Sequence, residues 1–157
     1  MSEKLNMKTP VTYYGGKQMM CSKIIPLIPE HILYCEPFCG GAAIFWHKKP
    51  SELEVLNDTN RELINFYQVV KNNFISLEKE IRITLNSRDL YRQASVIYNN
   101  PDMFSEIKRA WALWVLSTQS FAASLDNAWG FDLSKNRTAK KVSNAHDNFT
   151  EELAIRL

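Results

Sequence analysis

Short hydrophobic runs and longer amphipathic segments alternate in the first half of this chain. Two short runs predict strands at residues 32–36 and 53–58, and the first run, with Ile32, Leu33 and Tyr34, is typical of a buried strand. Each run is followed by helical spacing, first at residues 42–47 and then from residue 61 to about residue 71. Strands that alternate with helices predict the first half of a doubly wound α/β sheet.

The second half shows helical spacing with almost no strand signal. Two apolar stripes recur at helical intervals: Leu77, Ile81 and Leu85, then Leu90, Ala94 and Ile97. A long apolar helix is predicted over residues 103–123, and its Trp111 and Trp114 are interpreted as core residues rather than base-stacking groups. Consecutive helices cannot continue a βαβ winding. The predicted parts are therefore an α/β part at residues 1–72, a helical insertion domain at residues 73–145 and a return segment at residues 146–157.

Composition limits the classes of protein. The 157 residues are 45% hydrophobic, which indicates a folded chain with a core, and the net charge of +2 does not by itself indicate nucleic acid. The three cysteines form no C-x-x-C pair and suggest a reducing compartment. The longest apolar run, residues 110–116, is too short to cross a membrane, and the scattered histidines suggest no metal site. We predict a cytoplasmic protein without a membrane partner.

The candidate chemistry centres on two glycine turns and one acidic residue. After the first predicted strand, Gly40 and Gly41 allow a sharp turn and a close approach of a ligand to the backbone. Asp58 lies at the tip of the second predicted strand, 18 residues after Gly40. That spacing is close to the one at which nucleotide-binding folds place a carboxylate on ribose hydroxyls. A second glycine turn, residues 13–17, places an aromatic residue before two glycines and a lysine after them.

This combination resembles the Dam-like family of adenine-specific DNA methyltransferases. The matching segments are the aromatic-x-Gly-Gly-Lys turn at residues 13–17, the Glu-Pro-Phe turn at residues 36–41, and Asp58 with the helical pattern that follows it. The resemblance is specific over residues 10–72 and looser afterwards. One departure is Ala42, which stands where the family often has a further glycine.

The resemblance implies a Rossmann-like fold that binds S-adenosyl-L-methionine and carries a helical DNA-recognition domain. It implies that Asp58 binds the ribose, and that Tyr13 and Lys17 close the methionine end of the cofactor. Phe38 and Gly40 belong to the turn that packs against the ligand. The implied activity is transfer of a methyl group to N6 of adenine in double-stranded DNA, as in restriction-modification systems.

A basic segment follows the predicted long helix. Residues 124–144 are predicted to form a loop that holds four cations within seven residues, Lys135, Arg137, Lys140 and Lys141. Such a cluster suits contacts with DNA phosphates, although a solvated surface loop is an equally simple interpretation. The resemblance favours DNA. The family's usual base-reading segment is replaced at residues 117–121, so no recognition sequence is inferred.

The family's catalytic motif, Asp-Pro-Pro-Tyr, does not occur in this sequence, because none of the six prolines is adjacent to another. We therefore expect an N-terminal portion of a methyltransferase that is inactive alone and that self-associates through an exposed sheet edge. Two alternatives stay open at this point. One is a remnant that binds cofactor or DNA without catalysis. The other is a nicotinamide-dependent oxidoreductase, although residues 39–45 do not supply its G-x-G-x-x-G turn.

Overall fold

The computed structural model describes residues 7–121, 125, 128–130 and 137–157, the last range without the side chains of residues 137–140. The strands are β1 (Leu33–Glu36) and β2 (Leu53–Leu56). The helices are α1 (Cys21–Ile24), α2 (Ala43–His47), α3 (Arg61–Asn72), α4 (Phe74–Arg82), α5 (Arg88–Asn99), α6 (Glu106–Gln119), α7 (Arg137–Asp147) and α8 (Glu152–Arg156). Short 3-10 turns lie at Gln18–Met20, Ile25–Leu27 and Pro101–Met103. The chain is thus a mixed α/β protein with a small parallel sheet.

The sheet joins the two strands that the sequence predicts, in the parallel orientation. Leu33 pairs with Leu53 and Glu36 pairs with Leu56, and α2 connects the strands. One face of this sheet is open in the described part of the chain, where Leu33 is 54% exposed and Leu53 is 57% exposed. The prediction that the first strand is buried is therefore wrong for this face, because no described element packs over it. The opposite face carries Glu54 and packs toward the helices.

The helix after β2 begins where a side chain caps it. Asn60 accepts hydrogen bonds through its side-chain oxygen from the backbone N–H groups of Glu62 and Leu63. Leu63 and Phe66 on the apolar face of this helix are fully buried. The predicted helix from residue 61 to about residue 71 is confirmed as α3, with an end one residue later.

Helix α6 is central to the helical part. Trp114 is fully buried and Trp111 is 6% exposed, so their interpretation as core residues is confirmed. The predicted helix over residues 103–123 is too long at both ends. Ser105 caps the N-terminus by accepting a hydrogen bond from Lys108, and the extended backbone of Ser120 ends the helix.

The two predicted apolar stripes correspond to α4 and α5. Leu77 and Ile81 are fully buried, but Leu85 is 70% exposed and lies outside α4. The helix stops at Arg82, and the Thr84 hydroxyl group then donates a hydrogen bond to the Glu80 carbonyl group, so the stripe does not continue.

One apolar core extends through both parts of the chain. It contains Trp46 and Phe66 from the α/β part, Trp114 from the helical part and Phe149 from the return segment. The predicted division at residues 72 and 145 stays a prediction.

A buried cluster of charged residues attaches α8 to the sheet. The Glu54 carboxylate accepts hydrogen bonds from Lys48 and from the Arg156 guanidinium group. Arg156 also donates to the Phe45 carbonyl oxygen at 2.8 Å and stacks 3.7 Å from the centre of its ring. Burial raises the pKa of Glu54, but the bonds from Arg156 and Lys48 outweigh burial and hold it at about 2.

This cluster makes stability depend on the Glu54 charge. Replacement of Glu54 by Gln should lower the free energy of unfolding at neutral pH by about 3–5 kcal/mol, because two buried cations lose their counter-charge. Since the pKa falls from 4.5 to about 2 on folding, the contribution is complete above pH 4.5 and is lost as the pH falls toward 2. Urea unfolding at neutral and acidic pH measures both effects.

The matched control is Glu52→Gln, an exposed glutamate two residues before Glu54. It should unfold at the wild-type urea concentration at both pH values. Equal midpoints for the two variants would show that the cluster does not stabilise the fold.

Candidate functional site

A cleft of about 240 Å³ lies at the carboxyl ends of β1 and β2, between the two glycine turns. Ligands of open α/β sheets bind at this edge because loops diverge there. The five residues predicted from the sequence to bind a cofactor all line it: Tyr13, Lys17, Phe38, Gly40 and Asp58. The fold therefore brings together segments that are distant in the sequence.

Gly40 is held on both of its backbone polar groups. Its N–H donates to Asp58 Oδ2 at 2.9 Å, and its carbonyl oxygen accepts from the Tyr67 hydroxyl group at 2.8 Å. Its φ of +51° lies in the left-handed region, and a Cβ atom there would lie 3.2 Å from the Tyr13 ring. Any side chain at position 40 would therefore be strained and would also displace Tyr13.

Asp58 joins the glycine turn to the start of α3. Its Oδ1 atom accepts from the Asn60 N–H at 2.9 Å, while Oδ2 accepts from Gly40. The sequence predicted a ligand-binding role for Asp58 but not this structural role. A carboxylate has about four lone-pair sites, so these two bonds leave acceptor capacity that can face the cleft.

Tyr67 supports the cleft through its hydrogen bond to Gly40, a role that sequence reasoning missed. It lies on the buried face of α3, where its aromatic ring predicts only a core position. Burial raises the pKa of Tyr67 well above its ordinary value, so the hydroxyl group stays protonated and donates to Gly40.

Ala42 occupies the position where the resembled family often has a glycine. It is fully buried with φ +49° and ψ +41°, a left-handed conformation that costs an L-residue about 1–2 kcal/mol. Its N–H donates to the Cys39 carbonyl oxygen at 2.7 Å, and its carbonyl oxygen accepts from Trp46 at 3.1 Å. These two hydrogen bonds join the turn to α2 with alanine at this position.

Glu36 adds a second carboxylate to the lining of the cleft. Its Oε1 atom accepts from the Tyr34 hydroxyl group and from the Phe45 N–H, each at 2.9 Å. Burial raises the pKa of Glu36, and these two hydrogen bonds act in the opposite direction. The cleft thus combines two carboxylates with Lys17, and Phe38 at its rim is 74% exposed.

The four predicted DNA-binding cations are only partly described. Lys135 lies outside the described residues, and the side chains of Arg137 and Lys140 are not described. The prediction of a loop is wrong from residue 137 onward, because these residues form α7. Lys141 is partly buried and donates to the Ser117 carbonyl oxygen at 2.9 Å, and burial lowers its pKa.

The described residues contain neither a membrane-spanning helix nor a cluster of metal ligands. None of the helices there has the length and hydrophobicity that crossing a bilayer requires. The same residues include no group of three or more metal-ligating side chains.

Comparison with known proteins gave a family match and several relatives. Residues 13–154 match the family described as D12 class N6 adenine-specific DNA methyltransferase. The chain is 34% identical over 119 residues to the type II methyltransferase M1.LlaDCHI of Lactococcus lactis subsp. cremoris, an alignment that covers 68% of this chain and 39% of that protein. It is 30% identical over 110 residues to the DNA N-6-adenine-methyltransferase of Escherichia phage P1, which covers 68% of this chain and 14% of that protein.

A third relative is similar over a comparable part of the chain. The type II methyltransferase M.MjaIII of Methanocaldococcus jannaschii is 28% identical over 116 residues, which covers 66% of this chain and 40% of that protein. The chain thus spans 39% of the Lactococcus relative and 40% of the Methanocaldococcus relative.

The bond from Tyr67 to Gly40 can be tested alone. Tyr67→Phe should lower the free energy of unfolding by about 1–3 kcal/mol, because the Gly40 carbonyl oxygen then loses its buried donor. Tyr14→Phe is the matched control, since Tyr14 is a tyrosine of the cleft lining that is 76% exposed, and this change should have little effect. Chemical denaturation measures both. Equal stability of the two variants would show that this bond does not support the turn.

Proposed function

The chain belongs to the D12 class of N6 adenine-specific DNA methyltransferases, and we propose that it forms the cofactor- and DNA-binding portion of an enzyme that methylates adenine N6 in double-stranded DNA. The observation that carries this proposal is the single cleft in which both glycine turns and Asp58 meet. A Rossmann-like sheet with a helical insertion, a cytoplasmic location and a restriction-modification role belong to the same proposal. Because the chain belongs to this family, we reject the alternative that it is a nicotinamide-dependent oxidoreductase.

The lining of the cleft fits S-adenosyl-L-methionine chemically. The cofactor carries a ribose diol, an amino acid end with a carboxylate and an ammonium group, and a sulfonium cation. Asp58 would accept from the ribose hydroxyl groups with the capacity left by its two backbone bonds. Lys17 would hold the cofactor's carboxylate, and Glu36 is a carboxylate that can face its cationic groups. When bound, the cofactor supplies an electrophilic methyl group.

The chain's own residues would position and shield this ligand. The bonds to Gly40 fix the turn before any ligand arrives, so little ordering is required on binding. Tyr13 packs against Gly40 and, with Phe38, would cover the ligand and exclude water. Lys135, Arg137, Lys140 and Lys141 would contact DNA phosphates from the helical part.

A second candidate function is binding without methyl transfer. It is favoured by the sequence, which lacks the Asp-Pro-Pro-Tyr motif of the resembled family. In that family the motif supplies acceptors for the amino group of an extruded adenine. The adenine amino nitrogen is a poor nucleophile unless such acceptors hold it in line.

Cofactor binding tests the role of Asp58. Asp58→Ala should weaken the binding of S-adenosyl-L-methionine by about tenfold or more, since a hydrogen bond to a charged group contributes roughly 1.5–3 kcal/mol. Isothermal titration calorimetry measures the affinity directly. Asp102→Ala is the control, because this carboxylate is exposed and pairs with Arg61 on the surface.

Tyr67→Phe separates ligand contact from turn support, because it releases Gly40 and leaves the carboxylate in place. A larger loss for Asp58→Ala than for Tyr67→Phe would support a direct contact. Equal losses of affinity in the two variants would mean that Asp58 acts only through the turn. An unchanged affinity in Asp58→Ala would show that Asp58 is not part of the binding site.

A methyl-transfer assay of the chain alone can reject the second candidate function. The purified 157-residue chain should incorporate no labelled methyl group into double-stranded DNA, while it binds the cofactor in calorimetry. Incorporation at adenine N6 that depends on the cofactor would show that these residues contain the acceptors, and the binding-only candidate would be rejected.

A further inference from the structure

A second cleft, of about 310 Å³, lies beside the first and has a different chemical character. It is bounded by the N-terminal arm, defined here as residues 7–12, by the C-terminal end of α6 and by α7. Its lining contains two lysines and several hydroxyl and amide side chains, and it includes no carboxylate among the described residues. A concave surface of this kind suits a ligand that is anionic and rich in hydrogen-bond acceptors.

The two clefts share the first glycine turn. Residues Tyr13 to Lys17 line the cofactor cleft, whereas Thr12 and Gln18, the residues on either side of them, line the second cleft. The turn is closed by the bond from the Gly16 N–H to the Tyr13 carbonyl oxygen at 3.0 Å. A molecule in the second cleft would therefore lie next to the proposed methyl donor, separated from it by one turn of backbone.

Lys141 supplies a cation that is not neutralised by any described residue. It is partly buried, and among the described groups its ammonium group donates only to the Ser117 carbonyl oxygen, at 2.9 Å. No carboxylate of the described chain lies within ion-pair distance of it. An ammonium group has three N–H donors, so two remain for a ligand. A partly buried, unpaired cation is costly, and an anion in the cleft would offset that cost.

Other groups around Lys141 can complete an anion site. Lys8 on the arm adds a second charge. Asn144 on α7 and Asn148, the residue that follows α7, add amide donors four positions apart. Thr118 is 1% exposed and donates its hydroxyl hydrogen to the Trp114 carbonyl oxygen, so its oxygen can only accept in that state. The donors therefore come from the arm and from α7.

From these observations we propose that the second cleft binds a phosphate group of the DNA backbone, next to the nucleotide that is to be methylated. The inference rests on the proposed function, and it moves the main DNA contact from a surface loop to a cleft between the arm and α7. The shared turn would then set the distance between the DNA strand and the cofactor.

Salt dependence of DNA binding tests this inference. Fluorescence anisotropy with a labelled duplex should give, for Lys141→Gln and for Lys8→Gln, a log–log salt slope that is less steep by about 0.9 for each lost phosphate contact. The affinity at fixed salt should fall severalfold, and Lys141→Arg should restore most of it. Lys79→Gln is the control, because this exposed lysine on α4 lines neither cleft.

Several outcomes would overturn the inference. One is an unchanged slope in Lys8→Gln, since Lys8 is an exposed residue of the arm and its replacement disturbs no buried side chain. Another is an equal change in Lys79→Gln, which would indicate a general charge effect. A third is that inorganic phosphate displaces the duplex more than chloride does at equal ionic strength, while the salt slopes of the lysine variants stay unchanged. That result would indicate a site for free phosphate instead. A wild-type chain that binds no duplex would also reject it.

Calorimetry of the wild-type chain with S-adenosyl-L-methionine keeps this test separate from the proposed function. Normal cofactor binding with unchanged salt slopes rejects only the phosphate cleft. Absence of cofactor binding counts against the proposed function itself.

Discussion

Two hydrogen bonds to the backbone of Gly40 connect the parts of this molecule that form the cleft at the carboxyl ends of β1 and β2. One comes from the Gly40 N–H to Asp58 at the end of β2, and the other comes from Tyr67 on α3 to the Gly40 carbonyl oxygen. Asp58 also accepts from the N–H of Asn60, the residue that caps α3. The glycine turn after β1, the end of β2 and the start of α3 therefore have fixed relative positions. A change in any one of them alters the shape of the cleft.

Helix α3 also connects the cleft to the helical part of the chain through α6. Glu62, in the first turn of α3, accepts two hydrogen bonds from Arg109 of α6, at 2.8 and 2.7 Å. Both side chains are almost fully buried, so the pair is bidentate and protected from water. Asn65 adds a bond to the Glu106 carbonyl oxygen at 3.0 Å. Helix α6 in turn carries Thr118, which lines the second cleft. The two clefts are thus parts of one packed framework.

Local signals explain what the sequence could predict. The glycine turns and the acid at a strand tip are contained in a few adjacent residues, and so is the apolar face of α3. The missed contacts join residues far apart in sequence, with separations of 27 for Tyr67 and Gly40, 47 for Arg109 and Glu62, and 102 for Arg156 and Glu54. No periodicity encodes such pairs. The prediction of a loop failed from residue 137 onward for a different reason, since the polar composition of residues 137–144 hides a helix that packs through few apolar residues, such as Val142.

The buried cluster of Lys48, Glu54 and Arg156 gives the attachment of α8 its own response to temperature. The cost of removing charged groups from water falls on heating, because their hydration carries a strongly negative entropy, whereas stabilisation by apolar burial reaches a plateau. Helix α8 has only five residues, and Leu153 is its one apolar side chain that is almost completely buried in the described structure. Its attachment therefore relies on ionic contacts that become relatively more favourable as the protein warms. We therefore expect α8 to stay attached to the sheet on heating, although the other face of the sheet is open among the described residues.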